Sequence, residues 1–139
     1  MDCGTCTACC RDLELHEIPS KIGEPCSKCE EGVGCTIYET RPKECKEFLC
    51  VWAQMEKVGE DLRPDKCGVI FSRTSKDVMS GRVDQRRKMT QLAAKQIESF
   101  KKEGFSVVLY RGDETNIQLH KNHSLNHVME AIRGRAELH

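Results

Sequence analysis

The spacing of apolar residues is most regular in the second half of the chain. "QRRKMTQLAAKQIESFKKEG" places Met89, Leu92, Ala93, Ile97 and Phe100 at helical intervals. That spacing predicts an amphipathic helix with basic ends, stopped by Gly104. Before it, "CGVIFSR" is a run of β-forming residues, and "KDVMSGRVD" is expected to pair with it through a turn at Ser80-Gly81. After it, "FSVVLYRGDETNIQLH" reads as a hairpin turning at Gly112-Asp113, and "SLNHVMEAIRGR" as a short closing helix. A helix on a small antiparallel sheet makes this half an α+β unit.

The first half is patterned more weakly. "RDLELHEIPS" alternates through Leu13 and Leu15 and predicts a short strand before Pro19. "KIGEPCSKCEEGVGC", rich in Gly, Pro and charge, reads as loop. "TIYETRPKECKEFLCVWAQMEKVG" reads as one helix, with Pro42 near its start where a missing N–H costs nothing. Cys45, Phe48, Leu49, Trp52 and Met55 form its inward stripe, and Gly59 ends it. No internal repeat or low-complexity segment is visible.

Length and charge sharpen this division. A chain of 139 residues is one domain, or one small domain with a cysteine-rich appendage. Residues 1–67 carry 9 Lys/Arg against 14 Asp/Glu, and residues 68–139 carry 13 against 8. A cysteine-cluster region over 1–67 and an α+β region over 68–139 are therefore expected, within one compact domain. No stretch approaches the roughly 20 apolar residues that span a bilayer. The N-terminus shows no basic segment followed by an apolar run, so the expected compartment is the cytoplasm.

All 10 cysteines fall in the first region, and four of them open the chain in "MDCGTCTACC". A disulfide knot, a redox dithiol and a thiolate metal site compete to explain them. A reducing compartment disfavours the first. The Cys3-x2-Cys6-x2-Cys9 rhythm lets successive thiolates converge in a tight loop of small residues. Zinc takes C-x2-C pairs, and bacterial ferredoxin sites use the same C-x2-C-x2-C rhythm. Cys10 directly follows Cys9, and neighbouring side chains diverge, which places them at two centres. Cys26, Cys29 and Cys35 follow in the loop, and Cys45 and Cys50 on the helix. Five steps along a regular helix rotate a side chain by about 140°. Either the helix begins after Cys45, or Cys45 and Cys50 serve different centres. Cys67, alone before a strand, reads as an inert buried thiol.

The opening "CGTCTACC", a loop cysteine and then "CTIYETRPKECKEFLC" resemble the CxxCxxCC cysteine-cluster family, described as a zinc- or iron-chelating domain. The resemblance covers roughly residues 3–52 and extends weakly to "LRPDKCGVIF". It implies Cys3, Cys6, Cys9, Cys10, Cys26, Cys35, Cys45 and Cys50 as ligands. Cys29 stands where relatives often have an apolar residue, which leaves the choice between Cys26 and Cys29 open. Around these thiolates Tyr38, Arg41 and Trp52 are candidate supporting residues, with Arg41 and Tyr38 as donors, since four thiolates on Zn²⁺ leave a net negative charge; a surface ion pair for Arg41 and core packing for Trp52 are the alternatives.

Three functions follow. The first is a metal-binding module with about two thiolate-bound Zn²⁺ in closed structural sites. The second is an iron–sulfur protein with a [4Fe-4S] cluster, transferring electrons or assisting a partner enzyme. Flagellin lysine methylases carry a related cysteine domain. The third, a zinc-containing nucleic-acid binder, is disfavoured by zero net charge and 5% aromatic residues. A metal ion, and in the second reading a protein, are the expected partners; a membrane is not. No complete catalytic constellation is visible. His120-x2-His123-x3-His127 has ligand-like spacing but no acidic or thiol neighbour in sequence, and reads as a solvated polar face. Arg111-Gly112-Asp113 and Asn122-His123-Ser124 match adhesion and glycosylation strings by chance.

Overall fold

The three-dimensional structure is a computed structural model that describes residues 6–13, 18, 21–48, 50–54 and 60–137. It is an α+β fold built on a mixed four-stranded sheet, with a separate antiparallel pair.

The second half supplies the sheet. β3 (Val69–Arg73) runs antiparallel to β4 (Val78–Val83), pairing Val69 with Val83 and Arg73 with Met79. The helix α5 (Gln91–Lys102) then crosses over to β5 (Ser106–Arg111), which lies parallel to β4. β5 turns through Gly112-Asp113 into the antiparallel β6 (Glu114–Gln118), and α6 (Leu125–Glu137) closes the chain. The sheet is therefore mixed rather than antiparallel. A helix between β4 and β5 returns the chain in its original direction, which a hairpin cannot do.

The β3–β4 turn also differs from expectation. It occupies residues 74–77, and Ser80-Gly81 lies within β4. Gly81 is there because of crowding. A Cβ at this position would come within 2.7 Å of Val69 Cγ1 and 2.9 Å of Leu109 Cδ2.

Alternation along the strands divides the core between two faces. Val69, Phe71, Met79, Val107 and Leu109 pack with Ala93, Ile97 and Phe100 of α5. Phe71 and Phe100 meet edge to face at 5.2 Å. Val78 and Val108, of opposite parity, pack with Val128 of α6. Thr90 caps α5 by accepting from the Ala93 N–H at 3.1 Å. Met89, assigned to the helical stripe, precedes this cap and is 38% exposed.

The first half is made of short pieces. α1 (Ala8–Asp12) replaces the loop expected for the opening window and carries Cys9 and Cys10. β1 (Cys29–Glu30) and β2 (Gly34–Cys35) pair within the expected loop, aligning Cys29 with Cys35. The single helix expected from Thr36 to Gly59 is divided. A 3-10 turn at Tyr38–Thr40 precedes α2 (Lys43–Glu47), which follows Pro42, and α3 (Val51–Gln54) comes after an interruption. Phe48 is extended there, with φ −76° and ψ 120°. Cys50, Val51 and Ala53 are buried, whereas Cys45, Phe48 and Trp52 are half-buried. Leu13 is extended, but Leu15 and Pro19 of the expected strand lie outside the described residues, as do Leu49, Met55 and Gly59.

Apolar and ionic contacts join the halves. Val51, Leu62 and Cys67, the last residue of α4 (Pro64–Cys67), share one core with the sheet residues that face α5. Arg11 reaches a buried ionic cluster, 2.5 Å from Asp12 and 3.3 Å from Asp84. Glu31 and Arg86 complete the cluster at its exposed edge, 2.6 Å apart.

Candidate metal centre

Cys6, Cys9, Cys10, Cys26, Cys35, Cys45 and Cys50 line one cavity of about 110 Å³. Short helices, turns and an interrupted helix accomplish this convergence. α1 sets Cys9 and Cys10 on successive positions, and the loop docks beside them through Cys26 N–H to Cys10 O at 2.7 Å. The loop then turns back, with Cys29 N–H bonded to Cys26 O at 3.0 Å and Lys28 N–H to Cys26 Sγ at 3.4 Å. An N–H directed at a cysteine sulfur stabilises negative charge there. The break at Phe48 frees Cys45 from the helical rotation that would turn it away from Cys50, and both reach the cavity.

The thiols occupy two sets of surroundings. Cys10 and Cys29 are hydrogen-bonded, with Cys35 and Cys26 close enough to act on both electrostatically. Cys26 and Cys35 also act on Cys45. Cys6 and Cys9 pack instead beside buried Cys50, Ala8, Ala53 and Ile70. Cys9 and Cys10 therefore have different neighbours, although both border the cavity. Cys29 belongs beside Cys10 as firmly as Cys26 does. Cys3 lies outside the described residues. Among the described residues, no three sulfurs lie within 4.8 Å of one another.

Burial is the main cause of the raised Cys10, Cys29 and Cys45 thiols. It pushes Cys10 far above the ordinary thiol range, and the nearby Cys29, Cys35 and Cys26 push further. Burial likewise raises Cys29, against the opposing Cys10 hydrogen bond. It raises Cys45 too, aided by Cys26 and Cys35 and opposed by Arg41. Without a cation these groups keep their protons. Ionising several of them together requires positive charge in their midst.

The three candidate supporting residues all line the cavity. Arg41 stacks over the Tyr38 ring at 4.0 Å. Its Nε is buried and has no hydrogen-bond partner among the described residues. Trp52 packs between two core clusters, and the Arg63 guanidinium lies 5.8 Å from its ring. Arg63 hydrogen-bonds Cys6 and pairs with Asp65 at 2.7 Å. The sequence pattern does not indicate Arg63 as a partner of a cysteine.

Cys67 stands apart in chemistry. It is fully buried in the core, and its Sγ–H donates to Val69 O at 3.2 Å. Burial raises this thiol as well. Several basic residues before α5 are engaged internally: Arg86 with Glu31 and Asp84, and Arg87 with Asp84 and Asp65 O. Arg111 of the adhesion-like string donates to Asp84 O and Arg87 O, so its position has a structural explanation.

The histidines depart from expectation. Distant in sequence, Asp77 meets His123 and His127. Among the described residues no helix is long and apolar enough to cross a membrane. No family model matches the chain, and no curated protein or solved structure matches it either.

Proposed function

We propose that the protein binds metal through its cysteine cluster, and that thiolate–metal bonds hold the first half of the chain together. The convergence of seven cysteines on one cavity carries this reading. The buried first-half cluster of Ala8, Cys50 and Ala53, completed by Ile70, is a small apolar core for that region.

Zinc in closed four-thiolate sites is the first reading of the metal. Cys10 and Cys29 are hydrogen-bonded to each other, and Cys26 and Cys35 act electrostatically on both, which makes these four one candidate set. Cys6, Cys9 and Cys50, with Cys3 from the same C-x2-C rhythm, supply a second set. Two such sites would hold about two zinc ions and serve structure rather than catalysis. Arg41 and Tyr38 would offset the excess negative charge.

One observation favours an iron–sulfur cluster as the second reading. Tetrahedral zinc with Zn–S bonds of about 2.3 Å holds its sulfurs about 3.8 Å apart. No three described sulfurs approach even 4.8 Å, yet they share one cavity. A polynuclear cluster accommodates wider sulfur spacing around a common space, and would suit electron transfer or support of a partner enzyme.

Anaerobic purification followed by elemental analysis and visible spectroscopy separates these outcomes. A colourless protein with stoichiometric zinc supports the first reading. A brown protein with iron and acid-labile sulfide supports the second. Absence of both metals from folded, fully reduced protein would defeat the proposal.

A further inference from the structure

The geometry points to a second, thiol-free site in which Asp77, His123 and His127 bind one divalent transition-metal ion. His127 Nε2 lies 2.8 Å from Asp77 Oδ2, and His123 Nε2 lies 3.3 Å from the same oxygen. Among the described residues, this is the one trio of ligand atoms that all lie within 4.8 Å of one another. Around a tetrahedral ion with bonds of about 2.05 Å to nitrogen and oxygen, neighbouring ligand atoms are about 3.3 Å apart. The His123–Asp77 separation already has that value, and the His127–Asp77 separation is about half an ångström shorter.

Three different segments build this site. Asp77 ends the β3–β4 turn, His123 precedes α6, and His127 lies in its first turn. The His123 ring is held from behind. Its Nδ1 lies 2.7 Å from Ser106 Oγ, which also accepts from the His120 N–H at 2.8 Å. When Nδ1–H donates to Ser106, the Nε2 lone pair faces Asp77, as a metal-ligating histidine requires. Exposure is graded across the trio. The side chains of His123, Asp77 and His127 are 12%, 23% and 40% exposed, so an ion could enter from the His127 side. With three protein ligands, at least one coordination position would remain open to water. Imidazole and carboxylate together suit zinc, nickel or iron(II) rather than calcium or magnesium.

The same residues also resemble a serine–histidine–aspartate relay, but Ser106 is fully buried and its oxygen is occupied by the His120 N–H. No substrate can reach that hydroxyl. A metal-free His–Asp pair is the remaining alternative.

Equilibrium dialysis of the full chain against Zn²⁺, with thiolate-bound metal counted beforehand, distinguishes them. Wild type should bind one equivalent more than His127→Ala or Asp77→Asn at the same free zinc. Ser106→Ala should need about tenfold more zinc to half-fill this site. Zn²⁺ should also shift the Nε2 resonances of His123 and His127. His127→Ala alters an exposed side chain, so circular dichroism and its thiolate-bound metal should match wild type. Equal zinc counts in wild type and His127→Ala, or unmoved imidazole resonances at saturating zinc, would overturn the site. Neither result would alter the metal count of the cysteine cluster.

Discussion

Arg11→Met offers a quantitative test of how the cysteine region is fastened to the sheet. The Arg11 side chain is 6% exposed and lies between Asp12, 3% exposed, and Asp84, 7% exposed. Methionine preserves much of the packing but removes the charge. Asp84 would keep Arg86 at 3.3 Å and Arg87 at 3.5 Å. Asp12 would lose its only direct ion pair among the described residues. Removing one partner of a buried pair costs about 3–5 kcal/mol, and the compensation at Asp84 places this variant near 3 kcal/mol. Burial already raises the Asp12 carboxyl, with the Arg11 hydrogen bond opposing it. Without Arg11, that carboxyl should rise further. A carboxyl raised in the folded state binds protons more readily there than in the unfolded chain. The penalty should therefore be full at neutral pH and shrink as pH falls through the raised value. Urea denaturation followed by circular dichroism reads both effects. Arg11→Met/Asp12→Asn should recover most of the loss. A neutral-pH penalty below about 1 kcal/mol, well short of a broken buried pair, or no rescue by the second substitution, would show that Arg11 does not fasten the two halves in this way.

Metal removal by a strong chelator should expose residues 6–54 to proteolysis while amides of β4 and β5 stay protected, since the sheet and α5 have their own core. Hydrogen exchange on the treated protein checks this; equal protection in both regions after complete removal would contradict it. Cys10→Ser should lose metal, whereas Cys67→Ser should retain the full metal content at a stability cost of about 1 kcal/mol. Elemental analysis of both variants tests this contrast. Gly81→Ala should destabilise by about 1–3 kcal/mol through overpacking against Val69 and Leu109, measured by thermal unfolding.

The sheet and its helices were legible because their signals were local. Ala93, Ile97 and Phe100 mark the buried side of α5, and the turn at Gly112-Asp113 directly joins β5 to β6. The direction of β5 was not local: it depends on α5 crossing back over the sheet, so a mixed arrangement replaced the antiparallel one. The divided helix has a different cause. Its apolar stripe suggested continuity, but Cys45 and Cys50 both reach the cavity only because the chain is extended at Phe48. Cysteine spacing indicated the cluster, and Arg41, Tyr38 and Trp52 were also found along its wall. Asp77 was invisible as a histidine partner because 50 residues separate it from His127. Arg11 and Asp84 were hidden for the same reason.

X-ray absorption at the metal edge of anaerobically purified protein reads the atoms that hold the metal. Thiolate binding by the cysteine cluster predicts a first shell dominated by sulfur, at about 2.3 Å for zinc. An added metal–metal scattering path in an iron-containing sample would select the cluster form of the same claim. A metal shell made only of nitrogen and oxygen, in folded protein with reduced cysteines, would contradict it.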